Sequence, residues 1–266
     1  MSTDTAAPAV AGGSTIDDLS TSALPGRPGV AFGRTLHAEL RKMVDTRAGR
    51  WLIIVMSALT AVVLAAFVIW GSAEDATFRS LLQLASLPLA LLLPILGIMA
   101  ATAEWTQRTG LATFTLEPRR GRVVLAKALA ALLLALVVLA STLVAAALAN
   151  LGGNGDWDLG APVAGGVLLA LLIYVLQGVA FGLLFLNTPV AIVSVLVLPT
   201  AWTIATQAFA SLADVGTWLD MDSVTRPLFE GEMAAQDWAH LATAGAVWVL
   251  LPLVIGTYRV VHREVK

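Results

Sequence analysis

The side chains that could do chemistry in this chain are few, and most stand in the wrong pattern for it. There is no cysteine, so thiolate nucleophiles, disulfides and cysteine-held zinc or iron–sulfur centres are excluded. The three histidines, His37, His240 and His262, are too scattered for an obvious metal site. No G-x-x-x-x-G-K-[ST] cradle for nucleotide phosphates, no H-E-x-x-H and no G-x-S-x-G elbow occurs. The chain is therefore expected not to be an enzyme, and to hold no cofactor of its own. Asp214, Asp220, Asp222, Glu230, Glu232 and Asp237 cluster with Arg226 between residues 211 and 238. They lack the spacing of an EF-hand and read as the solvated face of a loop.

One constellation carries more. Glu104 opens the run Trp105-Thr106-Gln107-Arg108-Thr109-Gly110. Leu116-Glu117-Pro118 and the basic run Arg119-Arg120-Gly121-Arg122 follow, and Lys127 comes next. The segment 104–122 is longer than a simple connector needs to be, and it mixes both charges with helix-forming residues. Composition leaves two readings open, a solvated basic loop and a lever that docks a soluble protein.

The elements that must position this segment are membrane spans. Of the 266 residues, 58% are hydrophobic and 13% charged, a balance suited to a lipid-covered surface. Six stretches, near 51–70, 82–103, 128–149, 161–186, 190–212 and 239–258, each hold about 20 apolar residues, enough to cross a hydrocarbon core of about 30 Å. None contains Asp, Glu, Lys or Arg, whose mid-membrane cost is about 2.5–3.5 kcal/mol on insertion scales. The fold class expected is all-α, a polytopic membrane protein of six transmembrane helices. Asn187-Thr188-Pro189 is turn chemistry and should join the fourth and fifth spans tightly.

Six spans put residues 1–50, 104–127 and the C-terminus on one side. That side carries fourteen of the sixteen Lys and Arg residues, leaving only Arg79 and Arg226 opposite. The bias predicts that both termini are cytoplasmic. A net charge of −2 gives no reason to expect nucleic acid. Trp51, Trp70, Trp157, Trp238 and Tyr258 fall near span ends, as interfacial anchors do, whereas Trp202 and Trp248 fall deeper.

Outside the spans, residues 1–31 are rich in Ala, Gly, Ser, Thr and Pro and read as a disordered cytoplasmic tail rather than a secretory signal. Residues 32–50 read as an amphipathic interfacial helix. Phe32, Leu36, Leu40, Met43 and Val44 recur at helical spacing, with Arg34, His37, Arg41, Lys42 and Asp45 largely between them, so a basic face turns toward membrane lipid. Residues 51–266 form the transmembrane domain. Within it, 211–238 is expected to supply short external helices between spans five and six. The spans offer only uncharged polar groups such as Gln83, Gln177, Thr203 and Gln207, so a path through them suits an amphipathic or apolar cargo driven by energy from elsewhere. Gly178-x-x-x-Gly182 is expected to pack within the bundle.

The basic helix before span one, the acid at the end of span two with Gly110 six residues on, and the Leu116-x-Pro118-Arg119-Arg120-x-Arg122 run resemble the permease subunits of ABC transporters of the type-2 export class, particularly the stand-alone six-span permeases of actinobacteria. The likeness covers residue 32 to the C-terminus and is densest over 32–130. Many relatives have Gly-Thr or Gly-Ser where this chain has Gly110-Leu111. The resemblance implies a bacterial cytoplasmic membrane and a homodimer or heterodimer of permeases. It also implies two cytosolic ATPase subunits that carry ATP and Mg²⁺, and an exported substrate of unknown identity. It makes 104–122 the coupling helix, with Glu104, Arg108, Gly110, Arg119, Arg120 and Arg122 as coupling residues. The helix bearing Phe32, Leu36, Leu40, Arg41 and Lys42 would pack beside it. Rival readings are a carrier or channel acting alone, a membrane scaffold or immunity factor, and a membrane-embedded enzyme.

Overall fold

The computed structural model describes residues 30–72, 74–107, 119–153 and 155–262. Nearly all of them fall in the single unit Ala31–Lys266. The tail expected over 1–31 lies, up to residue 29, outside the described residues, as do Arg108, Gly110 and the rest of 108–118.

Among the described residues nine α-helices follow one another, with one 3-10 turn at Ala210–Leu212 and no strand. They are α1 Phe32–Asp45, α2 Arg47–Trp70, α3 Phe78–Thr106, α4 Arg120–Asn150, α5 Ala161–Phe185, α6 Thr188–Ala208, α7 Ala213–Leu219, α8 Met221–Glu230 and α9 Ala235–His262. Six of them (α2 to α6 and α9) are long and apolar enough to cross a membrane. The protein is a multi-pass membrane protein with an amphipathic helix before the first span and two short helices before the last. Below, the face that carries α1 is called the α1 face.

The helix boundaries have local causes. Thr46 ends α1 and caps α2, its Oγ accepting from the Gly49 amide at 3.1 Å. The chain turns so tightly there that a Cβ on Gly49 would lie 1.8 Å from the Met43 carbonyl oxygen. Residues 47–50, expected in the interfacial helix, are instead the first turn of span one. Thr77 and Ser80 form a reciprocal capping box at the start of α3. Leu186, in the left-handed region at φ 52°, and Asn187, whose side chain caps α6 through the Val190 amide, are the whole link between spans four and five. In α9 the Leu251 amide bonds back to Ala246, five residues away, in a widened π turn. Pro252 follows at once, bringing no N–H and crowding the carbonyl four residues back.

Spans two, three and four make the core. Of their most apolar stretches 56%, 56% and 67% is buried, against 17%, 11% and 22% for spans one, five and six. Small residues set the closest approach. A Cβ on Gly178 would lie 1.9 Å from the Pro94 carbonyl oxygen, and one on Gly97 would lie 2.3 Å from that of Val175. The Gly178–Gly182 pair is thus used inside the bundle, against α3. Outward, Leu87, Leu91, Val137, Val144, Val193 and Val197 are exposed, as lipid-facing side chains are. Trp51, Trp70, Trp157, Trp238 and Tyr258 are exposed too. Trp248 is half-buried, and its indole N–H donates to the Leu219 carbonyl at 2.7 Å.

On the side opposite α1, the acidic residues serve local structure. Asp220 caps α8, accepting from the Asp222 amide and the Ser223 hydroxyl, and also from the Thr203 hydroxyl of span five. Asp237 accepts from the Ala234 amide at the start of α9. That cap starts the sixth span's helix four residues before the apolar stretch expected from 239.

Candidate functional site

Where α1 crosses the ends of spans two and three, four charged side chains close into a ring. Lys42 and Glu39 belong to α1, Glu104 to the last turn of α3, and Lys127 to the third turn of α4. The Lys42 ammonium lies 2.6 Å from one Glu39 oxygen and 3.1 Å from one Glu104 oxygen. Lys127 takes the other oxygen of each, at 2.8 Å in both cases. Its third N–H reaches the Ala100 carbonyl at 3.2 Å. Side chains of Glu39, Glu104 and Lys127 are 6%, 2% and 3% exposed, while that of Lys42 is 40% exposed. The ring is therefore neutral, closed and open to solvent at one corner only.

Burial works to raise the Glu39 carboxyl, but the Lys127 and Lys42 ammoniums outweigh it and hold the group below its ordinary value. Burial likewise pulls Lys42 down, and Glu39 and Glu104 reverse that, leaving it above its ordinary value. Both members of α1 thus stay ionised at neutral pH. The arrangement suits a clasp between helices better than a proton relay.

Further contacts tie the neighbouring segments to the same region. The Arg122 guanidinium sits 6.0 Å from the Phe32 ring centroid, at the outer limit of a cation–π contact. Arg120 donates to the Val260 and Val261 carbonyls at 3.0 and 3.3 Å, where α9 ends. Arg259 donates to the Leu184 carbonyl at the end of α5. The Thr188 hydroxyl, first in α6, bonds those of Thr102 and Thr106 in α3, at 2.7 and 2.9 Å. Each side of residues 108–118 is therefore anchored: Glu104 to α1 and α4, Arg120 to α9, Arg122 to α1.

Of the residues the sequence singles out, Glu104 and Lys42 meet in the ring, and Phe32 meets Arg122. Leu36 and Leu40 are half-buried. Arg41 is exposed and paired with Asp45 at 3.0 Å. Arg119 is exposed just before α4. Glu39 is the member that sequence reasoning missed. It lies three residues beyond Leu36 and four before Met43, inside the apolar stripe of α1, and an acid in that position was the available signal. Lys127 was visible only as one more basic residue near a span end.

Beside the ring a cavity of about 380 Å³ runs into the membrane region between α1, α2, α3 and α6. Glu39 and Lys42 lie at its rim, and Leu52, Leu96, Met99 and Ile192 on its walls. No family model matches this chain, and no curated protein matches it.

Proposed function

We propose that this chain is the permease subunit of an ATP-driven exporter, inserted with both termini in the cytoplasm and moved by a separate ATPase that docks on the α1 face. The observation that carries the reading is the buried ring of Glu39, Lys42, Glu104 and Lys127. It clasps α1 to the ends of spans two and three, so a push on residues 104–122 reaches α1 and both spans together. Breaking a buried ion pair costs about 3–5 kcal/mol, which makes rigid joint movement cheaper than local opening. The spans hold no charged residue at mid-depth, in keeping with an energy source outside the membrane. The side bearing the ring also carries fourteen of the sixteen basic residues, which supports its placement in the cytoplasm. In this reading Arg108, Gly110 and Arg119 meet the ATPase, and Arg120 and Arg122 carry its movement to α9 and α1.

The test is a pull-down of the tagged full-length chain from native membranes in mild detergent. A near-stoichiometric soluble protein with a Walker A motif is expected. Recovery of the chain alone, under conditions that preserve a known ABC complex, overturns the reading in favour of a carrier or scaffold that works without an ATPase.

A further inference from the structure

The cavity beside the ring has two zones. Its walls are mostly apolar, built by Leu52 of α2, Leu96 and Met99 of α3, and Ile192 of α6, with the hydroxyls of Thr102, Thr106 and Thr188 bonded to one another. Its rim, on the α1 face, is polar and holds Lys42, Thr46 and Gln107. Two of the three Lys42 N–H donors are used, on Glu39 and Glu104, so one is left on the half-exposed corner of the ring. The Thr46 oxygen accepts from Gly49 and keeps its own O–H free to donate. Along α3 the lining runs from Gln107 down to Leu96, about 16 Å of helix axis at about 1.5 Å per residue. That matches one leaflet of hydrocarbon, about half of a 30 Å core.

We propose that this cavity seats one phospholipid from the leaflet on the α1 side, with its phosphate at the Lys42–Thr46–Gln107 rim and one acyl chain against Leu52, Leu96, Met99 and Ile192. The donors decide the head: the rim offers a remaining ammonium N–H, a hydroxyl and an amide, while the carboxylates beside them are already paired with lysines. The walls decide the tail, since a free phosphate would leave the apolar shaft unfilled. The site lies within one copy of the chain and needs no ATPase, so it stands or fails separately from the permease reading.

Native mass spectrometry of the full chain tests the proposal, after exhaustive delipidation and titration with phosphatidylglycerol. One retained lipid per chain is expected for the unaltered protein and for Val197→Trp, an exposed position outside the cavity. Ala48→Trp and Ile192→Trp fill the cavity from two different helices and should weaken retention at least tenfold, with helicity kept. Diacylglycerol of the same chain length, which lacks the phosphate, should bind at least tenfold more weakly, and inorganic phosphate should not compete. Equal retention in both cavity variants overturns the site, and equal binding of diacylglycerol overturns the phosphate assignment. No retained lipid, with dimer mass lost in the cavity variants, would give the cavity to a second copy of the chain.

Discussion

Lys127 uses all three of its N–H donors inside the protein, on Glu39, Glu104 and the Ala100 carbonyl. Lys127→Met removes them and leaves two buried carboxylates to share Lys42. A loss of about 3–5 kcal/mol is expected, read as a lowered unfolding midpoint in detergent. The pH dependence has a definite sign. Glu39 is held below its ordinary value of 4.5, so its contribution is present above pH 4.5 and fades as pH falls through the depressed value. Lys42 is held above 10.5, so its contribution is present below pH 10.5 and fades as pH rises through the elevated value. Glu39→Gln should lower stability at pH 7 and flatten the acid limb of a stability profile. An unchanged acid limb would contradict the clasp. Sequence reasoning alone expects Glu104→Lys to abolish transport with insertion intact. The 2% exposure of that carboxylate, between two ammoniums, makes the expected defect one of folding as well. Glu104 was legible because it stands at the mouth of an apolar run. Glu39 was hidden because an acid within an amphipathic stripe looks like an irregularity until Lys127, its buried partner 88 residues on in the chain, is seen.

Between helices, contact distance is set by the absence of side chains. Gly178→Ala places a methyl group 1.9 Å from the Pro94 carbonyl oxygen, so α5 and α3 must separate. The expected cost is about 1–3 kcal/mol. Gly165→Ala lies on the same helix with nothing within 4 Å of the added carbon, and should hold stability or raise it by up to about 1 kcal/mol through helix propensity. Equal behaviour of the two in thermal unfolding would refute this packing. The existence of the six spans, of α1 and of the turn at Asn187 could all be read from apolar run length and turn chemistry. The boundaries could not be read as well, because the helices continue past the lipid-compatible stretch. Glu104 and Lys127 extend α3 and α4 on charge pairing, and Asp237 extends α9 on a cap. The π turn before Pro252 had only the proline as a trace.

At the scale of the whole molecule, the division into three buried and three peripheral spans was not legible, since all six read alike as uncharged stretches. The side on which α1 lies was predicted from basic residues alone. The chain has no cysteine, so single cysteines report topology without background. His37→Cys, exposed on α1, and Asp158→Cys, exposed before α5, are expected to behave oppositely. A membrane-impermeant maleimide should label the second in intact cells and the first only after permeabilisation. The reverse pattern would invert the protein and remove the α1 face from reach of a cytosolic ATPase.

The two-residue link at Leu186 and Asn187 also bears on how the chain is made. Span five is among the least apolar of the six, yet it follows span four with almost no slack. A nascent chain cannot leave it waiting in water while span four settles in lipid. The turn lies on the α1 face, where Thr188 meets Thr102 and Thr106, so a settled span four holds the start of the weaker segment at that surface and span five crosses from there.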